Sequence, residues 1–348
     1  MDFTKYNDRG LTGLVNLGNT CFLNSCVQVL NHIYELHDYL DKETYVNHLR
    51  TNLPDSHILT EWNELRKLVW SNNGIVSPNK FVYYVQKVAN EKGRELFTGW
   101  AQNDMPEFLL FMIECIHNSI SRPMNMKIRG QTENMTDQLA VQCYDMLKEV
   151  YSKEYSEIMP LFYGIYVSQI TCLDQTQIHS MKSENYFMLD LPVPTKPAIT
   201  IYDCFDVFTN YELMQGENAW YNEKSGKKED VKKGITFWNF PSILVITLKR
   251  FSFDGRRKIN AYIDFPLDNL DLSKYVKGYN PRQYVYDLFG VCNHIGGVSG
   301  GHYTSFVKVS DGSWKHFNDN KVGSIEQIIT PMAYCLFYRK KILAQKNK

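Results

Sequence analysis

The chain has 348 residues, and its 38 basic side chains balance 38 acidic ones, so the formal net charge is zero. A neutral balance lacks the basic excess that attracts nucleic acids or anionic membranes, and we expect neither as a partner. No apolar segment is long enough to suggest export or a membrane span. The eight cysteines lack the spacing of a disulfide framework, which predicts reduced thiols and a cytoplasmic or nuclear location.

The first informative stretch, residues 13–30, passes from a loop rich in glycine and asparagine into apolar residues at helical spacing. Cys21 lies where the loop becomes the helix, and the positive end of the helix dipole favours a thiolate there. A free cysteine has a pKa near ~8.5, and such a position beside a protonated histidine lowers it. Cys21 is the best nucleophile candidate. The alternative is that Cys21 is simply a buried thiol, as we expect Cys26 to be, and this alternative stays open until a base is found.

Helical periodicity continues to about residue 155. We expect helices over residues 58–69, after the Ser77-Pro78 start signal, after residue 104 and over residues 139–150. Asp104 and Glu107 have the spacing of a capping box, so Asp104 is predicted to be a helix N-cap.

Beyond about residue 160 the apolar residues alternate as they do in strands. Strands are expected within residues 163–172, 243–248, 284–291, 303–309 and 334–338, and residues 221–233, rich in lysine, are expected to form an exposed turn. The basic last nine residues are expected to be a solvated tail. The sequence therefore predicts an α+β fold in which a helical lobe faces a strand-rich lobe across a cleft.

A candidate base follows the glycine pairs at 296–297 and 300–301, where His302 begins a predicted strand. Glycines permit tight turns and close approach of a ligand backbone, and a strand holds a base rigidly. A hairpin returning beside this strand would bring Asn318 or Asp319 to the second ring nitrogen. Cysteine, histidine and Asn or Asp together form the thiol version of a catalytic triad. A plain turn histidine is the alternative for His302.

A family resemblance adds to these interpretations. Four stretches resemble the Cys box, Gln box and His box of the ubiquitin-specific proteases, which are papain-like cysteine proteases. They occur in the order that the family has, at residues 13–30, 102–108, 248–251 and 286–308. The resemblance covers essentially the whole chain and implies a papain-like fold with thumb, palm and fingers. It implies a single catalytic domain over 1–348, with a helical thumb at about 10–155, antiparallel fingers at about 160–240 and a palm carrying the His box at about 241–340.

The resemblance also assigns roles in catalysis. It implies that Cys21 is the nucleophile, His302 the general base and Asn318 the third member of the triad, with Asp319 assisting or substituting. Asn16, five residues before the nucleophile, resembles the side-chain donor of the oxyanion hole. Losing one such donor typically costs ~3 kcal/mol of transition-state stabilisation.

Binding of the ubiquitin tail, Leu-Arg-Gly-Gly, is implied for a second set of residues. Asp104 and Glu107 resemble the carboxylates that receive the arginine, and Asp104 can act both there and as an N-cap. The other implied tail-binding residues are Gln102, His294, Gly297 and Tyr303.

Many family members carry a zinc site made of two Cys-x-x-Cys knuckles. The corresponding stretches here are Cys172-Leu-Asp-Gln175 and Asn222-Glu-Lys-Ser225, which keep one ligand of four. We therefore expect no metal, and no cofactor.

The resemblance implies a cysteine-type ubiquitinyl hydrolase that cleaves after the C-terminal glycine of ubiquitin, with ubiquitin and ubiquitinated proteins as partners. Three different functions remain open: a ubiquitin-binding scaffold without turnover, a thiol acyltransferase, and a protease for a ubiquitin-like modifier.

Overall fold

The computed structural model describes residues 3–252, 254, 256–298 and 300–342. Its helices are α1 (Cys21–Leu30), α2 (Tyr34–Asp41), α3 (Asp55–Ser71), α4 (Asn79–Glu91), α5 (Met105–Ile120), α6 (Met135–Lys153), α7 (Ile158–Phe162) and α8 (Ile201–Thr209). Every predicted helix is present, and α2, α7 and α8 are additional. Of the predicted C-terminal tail, residues 343–348 lie outside the described residues.

The strands occupy mainly the second half of the chain. They are β1 (Gly13–Leu14), β2 (Ile75–Val76), β3 (Gly164–Thr171), β4 (Ile178–Tyr186), β5 (Met188–Pro192), β6 (Ile199–Thr200), β7 (Glu212–Met214), β8 (Trp220–Asn222), β9 (Lys227–Glu229), β10 (Val231–Asn239), β11 (Ile243–Lys249), β12 (Ile263–Asp264), β13 (Leu270–Asp271), β14 (Val285–Gly297), β15 (Gly300–Lys308), β16 (Trp314–Asn318), β17 (Lys321–Ser324) and β18 (Ala333–Lys340). Each predicted strand region contains a strand.

The prediction of an exposed turn over residues 221–233 is confirmed only in part: residues 221–230 are exposed or half-buried and residues 223–226 form a turn, but the flanking segments are strands. Strands β8 and β9 form a hairpin there, and β10 begins at Val231, which is fully buried. These short strands carry lysines on their solvent-facing side, so the sequence lacks the alternation of apolar and polar residues by which a strand is predicted.

Two larger sheets organise the strands. One has the order β17-β16-β15-β14-β18-β11-β5, with β13 on β14, and the other has the order β4-β3-β10-β7. Strand β5 lies inside the range predicted as fingers, yet it pairs with β11 in the large sheet. The predicted limits of the thumb, fingers and palm stay predictions.

Both faces of the large sheet are covered, which explains the continuous apolar run of β11. Along β18, Cys335 and Phe337 face the core shared with the N-terminal helices, whereas Leu336 and Tyr338 face a second core that includes α8. The helical half and the sheet thus share one apolar interface, and its stability holds the two halves together.

Helix α1 lies directly on this sheet. A Cβ atom at Gly290 on β14 would lie 2.6 Å from Cγ1 of Val29, so only glycine allows the helix to pack this closely. The close packing brings the N-terminal end of α1, where Cys21 lies, beside β15.

Two sequence-based expectations concern the environment of the chain. All eight cysteines are unpaired thiols, as expected. In the described ranges, no helix combines the length and the apolar character that a membrane crossing requires. The cytoplasmic or nuclear location stays a prediction.

Candidate active site

Cys21 is the first residue of α1 and only 4% of it is exposed. Burial raises the pKa of its thiol, a hydrogen bond from the Tyr303 backbone lowers it, and the charge of Asp319 raises it further. The expectation of a lowered pKa is therefore wrong: desolvation of the thiolate outweighs the helix terminus. The resting sulfur is a thiol that needs a base. It accepts a hydrogen bond from the backbone of Tyr303, which is the residue that follows His302 in the sequence.

His302 is the third residue of β15, and its Nε2 atom lies 2.7 Å from Oδ1 of Asn318 on β16. The predicted hairpin is confirmed, because β16 runs antiparallel to β15 with Ser305 opposite Phe317. An amide oxygen only accepts, so Nε2 carries the hydrogen and Nδ1 of the neutral ring keeps its lone pair. This tautomer is the one that a base acting through Nδ1 requires.

Asp319 is farther from the ring, with Oδ2 at 4.0 Å from Nε2 of His302. Its two carboxylate oxygens accept hydrogen bonds from two asparagine amides, Asn16 at 3.0 Å and Asn24 at 2.8 Å. Asp319 thus links the loop before the nucleophile and helix α1 to the end of the strand that carries Asn318 through these hydrogen bonds. Asn24 was not singled out in the sequence, because an asparagine inside a helix gives no signal of such a partner.

Asn16 is held from both ends of its amide group. Its Oδ1 accepts from the backbone N–H groups of Gly18 (3.0 Å) and Thr20 (3.2 Å), and its Nδ2 donates to Asp319. An amide nitrogen has two hydrogens, so one remains for a ligand. A fixed donor near the first turn of α1 is the arrangement that an oxyanion hole needs.

Asp104 occupies the N-cap position of α5, but its side chain makes no capping hydrogen bond. It accepts hydrogen bonds instead from the hydroxyls of Tyr303 (2.8 Å) and Tyr334 (3.2 Å). The predicted capping box is therefore wrong, because these tyrosines from the sheet bind the carboxylate instead. Burial raises the pKa of Asp104 to about 6, and the Tyr303 hydrogen bond moderates that rise.

Glu107 lies on the first turn of α5 and is exposed. Within the described ranges its carboxylate has no hydrogen bond or ion pair, so it is free to meet a cation. Tyr334 was not predicted as a partner of this region, since β18 is separated from α5 by more than two hundred residues.

The glycine-rich turn between β14 and β15 is bound to the helical half by Gln102. The Gln102 amide donates to the Gly301 carbonyl (3.1 Å) and accepts from the Gly301 N–H (2.9 Å). Gly300 has a φ of +146°, and a Cβ there would lie 2.4 Å from Oε1 of Gln102. Gly297 and Val298 complete the wall of a cavity of about 630 Å³ at this turn.

His294 lies beneath the turn rather than in the open cleft, and it is only 4% exposed. Its ring packs on that of Tyr303 with centroids 4.7 Å apart, and a Cβ at Gly301 would lie 2.4 Å from its Nε2. Burial, aided by the charge of Lys258, lowers the pKa of His294 to about 4. It therefore stays neutral and supports the turn from below.

Lys258, which the sequence did not single out, holds the other side of this turn. Its Nζ donates to the carbonyls of His294 (2.6 Å) and Gly296 (3.3 Å). No carboxylate in the described part of the chain lies within ion-pair distance of it. Fully buried Arg250 anchors the same segment by donating to the Ile259 carbonyl (2.9 Å). A lysine in a polar loop resembles any solvated lysine, so only the fold identifies its role.

The two stretches that correspond to the zinc knuckles of other family members do not contain a complete set of metal ligands. Cys172 donates a hydrogen bond to Asp174 at 2.8 Å and accepts one from the Gln177 N–H at 3.1 Å. Across the described ranges, no three His, Cys, Asp or Glu side chains cluster closely enough to hold a metal ion. The expectation of no metal stays a prediction.

Comparisons with known proteins agree with the motifs. A family model described as "Ubiquitin carboxyl-terminal hydrolase" matches residues 12–338. "Ubiquitin carboxyl-terminal hydrolase 2" of Homo sapiens is 34% identical over 346 residues, covering 95% of this chain and 55% of that protein. The protein of the same name from Gallus gallus is 33% identical over 349 residues, covering 95% of this chain and 93% of that protein. The chain spans about half the length of several relatives it matches.

Solved structures give the same answer for the fold. The SAGA Ubp8/Sgf11/Sus1/Sgf73 DUB module bound to ubiquitin aldehyde matches with a TM-score of 0.73 and 26% identity, over 98% of this chain and 71% of that one. The same module bound to monoubiquitin matches with a TM-score of 0.73 and 25% identity, over 97% and 71%. The expected α+β, papain-like fold is confirmed. The chain belongs to the ubiquitin carboxyl-terminal hydrolase family.

Proposed function

We propose that this chain is a thiol-dependent deubiquitinase that hydrolyses the bond after the C-terminal glycine of ubiquitin, with Cys21, His302 and Asn318 as its triad. One observation carries the proposal. The Nε2 of His302 is fixed by Asn318 at 2.7 Å, which leaves Nδ1 as the acceptor, and the next residue, Tyr303, interacts with the Cys21 sulfur through its backbone. Family membership supplies the substrate class.

The first half of the reaction forms a thioester. Nδ1 of His302 takes the proton of Cys21, and the sulfur attacks the carbonyl carbon of the last glycine. The Asn16 amide and the Cys21 backbone N–H stabilise the negative oxygen. The imidazolium then protonates the leaving amine as the carbon–nitrogen bond breaks.

The second half regenerates the enzyme. His302 accepts a proton from water, and the oxygen attacks the thioester carbon. The carbon–sulfur bond breaks, and the imidazolium returns its proton to the sulfur. The carboxylic acid formed at the end of the tail loses its own proton to solvent and leaves as a carboxylate. The raised pKa of Cys21 suits this cycle, since the thiol gives up its proton to the base during the reaction.

Recognition of the tail fits the carboxylates at the start of α5. Glu107, which has no partner among the residues that the structure describes, and the tyrosine-bound Asp104 can receive the arginine of the tail in charge-assisted hydrogen bonds. The glycine-rich turn that Gln102 and Lys258 hold lies beside a cavity in which the two glycines at the end of the tail could lie. We propose ubiquitin and ubiquitinated proteins as partners, in the cytoplasm or nucleus.

A ubiquitin bearing a C-terminal electrophile tests the proposal. The wild-type chain should form a covalent adduct, Cys21→Ala should form none while still binding ubiquitin, and Cys172→Ala serves as the matched control thiol. An adduct that survives in Cys21→Ala would refute the assignment. A bound but unreacted wild type would favour the ubiquitin-binding scaffold.

The two other candidate functions, a protease for a ubiquitin-like modifier and a thiol acyltransferase, are each tested with a different substrate. The same electrophile on a ubiquitin-like modifier, compared at equal concentration, distinguishes a protease for that modifier: faster labelling by the modifier would reassign the substrate. A thiol acyltransferase would pass the ubiquitin thioester to an added amine faster than to water.

A further inference from the structure

Asn24 is a buried polar residue that lies three positions after Cys21 on α1. Its Nδ2 atom lies 2.8 Å from Oδ1 of Asp319, and it lies at the longer distances of 3.3 Å and 3.4 Å from the carbonyl oxygens of Val15 and Leu14. All three partners only accept hydrogen bonds, so the nitrogen of the amide and not its oxygen faces them. This one side chain joins α1 to β1 and to the turn that follows β16.

Asp319, the main partner of Asn24, is held at three points. Its φ is +49°, in the left-handed region that few residues other than glycine adopt. Its carbonyl accepts from the Leu14 N–H at 2.8 Å, and its carboxylate accepts from the amides of Asn24 and Asn16. Within the described ranges, the only basic group within 4.0 Å of this carboxylate is the ring of His302. The orientation of the carboxylate therefore depends on two neutral amides.

The two amides bind different oxygens of the carboxylate and so fix its plane. Oδ1 accepts from Asn24, and Oδ2 accepts from Asn16 at 3.0 Å. Without Asn24, Oδ1 has no other hydrogen-bond partner among the described residues, and the soft terminal torsion of an aspartate lets the carboxylate turn. Such a turn moves Oδ2 away from Asn16, whose amide then loses the acceptor that fixes the direction of its second hydrogen.

An asparagine is an unfavourable residue for the stability of this helix. All ten residues of α1 are buried, and Oδ1 of Asn24 has no hydrogen-bond partner in the part of the chain that the structure describes. A leucine has the same branched shape and brings no polar atom that needs a partner. A residue that lowers stability where an apolar one fits is expected at functional positions, so this feature points to a role beyond the fold.

We propose that Asn24 is a positioning residue: it orients the Asp319 carboxylate, which directs the free hydrogen of the Asn16 amide at the carbonyl oxygen under attack. The inference rests on the proposed hydrolase function and adds a residue to it. Because Asn24 is buried, it does not touch the substrate. Its effect is therefore confined to reactions in which negative charge develops on an oxygen in the oxyanion hole.

Two ubiquitin derivatives separate this role from a general one. Hydrolysis of a fluorogenic C-terminal amide passes through an oxyanion, whereas a C-terminal alkyne adds the sulfur and a hydrogen across its triple bond and has no oxygen at the attacked carbon. Asn24→Leu and Asn24→Ala should lower kcat for the amide by ~10-fold to 100-fold, which is less than removal of an oxyanion donor typically costs, with little change in KM. Alkyne labelling should keep the wild-type rate. Unchanged hydrolysis, or a loss shared by both reactions, would overturn the proposal.

Asn63→Ala is the matched control for the loss of a buried asparagine. Asn63 on α3 bonds to the Tyr45 hydroxyl and to Arg66 and has no contact with Asp319. This variant should melt at a lower temperature than the wild type and keep its kcat. If both Asn24 variants fail to fold while Asn63→Ala folds, Asn24 serves the fold and the proposal fails.

A double substitution identifies the route of the effect. Asn16→Ala alone should lower kcat by ~100-fold to 1,000-fold. Adding Asn24→Leu to it should cause no further loss, because Asn24 acts only through Asn16. Additive losses would show another route, such as the His302 ring, and would overturn the proposal. A wild-type chain that neither hydrolyses the amide nor reacts with the alkyne would instead refute the proposed function, whereas an active wild type matched by its Asn24 variants would refute this inference alone.

Discussion

The orientation of His302 gives the sharpest prediction. In Asn318→Ala the ring loses the acceptor that lies 2.7 Å from its Nε2 atom. The imidazolium formed during the reaction is charged, and a hydrogen bond to a charged group contributes ~1.5–3 kcal/mol. If this contribution is lost mainly in the transition state, kcat should fall by about 10-fold to 150-fold, with a smaller change in KM.

The assay is release of a fluorogenic amide from the C-terminus of ubiquitin, with thermal melting to verify folding. Asn318→Asp keeps an acceptor oxygen and should retain most of the activity. Asn320→Ala changes an exposed asparagine two positions away and is the matched control. An Asn318→Ala variant with wild-type kcat, combined with an inactive Asp319→Ala variant, would show that Asp319 closes its 4.0 Å gap and orients the ring itself.

Substitutions at three further positions have expected outcomes. Because the pKa of Asp104 is raised to about 6 in the fold, KM for ubiquitin should rise as pH falls through 6, and Asp104→Asn should remove this dependence. The same shift means that the free energy of unfolding falls as pH rises from ~4 to 6, which urea titrations of wild type and Asp104→Asn at both limits would measure. Lys258→Met should loosen the turn at Gly296 and raise KM more than it lowers kcat, and Lys258→Arg should restore much of the loss. Equal kinetics for the wild type and both variants would show that the Lys258 hydrogen bonds to the turn do not affect substrate binding. Gly290→Ala should lower the free energy of unfolding by ~1–3 kcal/mol, because its new methyl group meets Val29; an unchanged urea midpoint would show that α1 moves without strain.

The elements that the sequence predicted well are those whose signal is local. Helix α1 has an apolar stripe, and β11 is a short apolar run between polar flanks. The hairpin that brings Asn318 to His302 followed from the spacing between two strand-like segments. Periodicity is encoded residue by residue, so it can be recognised without any knowledge of distant partners.

The errors share the opposite property. Asp104 has the sequence of an N-cap, but the hydroxyls of Tyr303 and Tyr334 compete for its carboxylate. Cys21 has the position of an activated thiol, but burial beneath the sheet raises its pKa. In both cases a contact from a remote part of the chain outweighs the local preference.

By itself, then, the sequence determined the five helices and five strand regions with a clear period, the family and the identity of the reactive candidates, since each depends on residue type and spacing. The tertiary structure alone decided which polar groups meet. It assigned Asn318 to the ring of His302, Asp319 to two asparagine amides, and Lys258 to the glycine-rich turn. Hydrogen bonds and desolvation depend on atoms within a few ångströms of one another, and folding brings those atoms together from positions far apart along the chain.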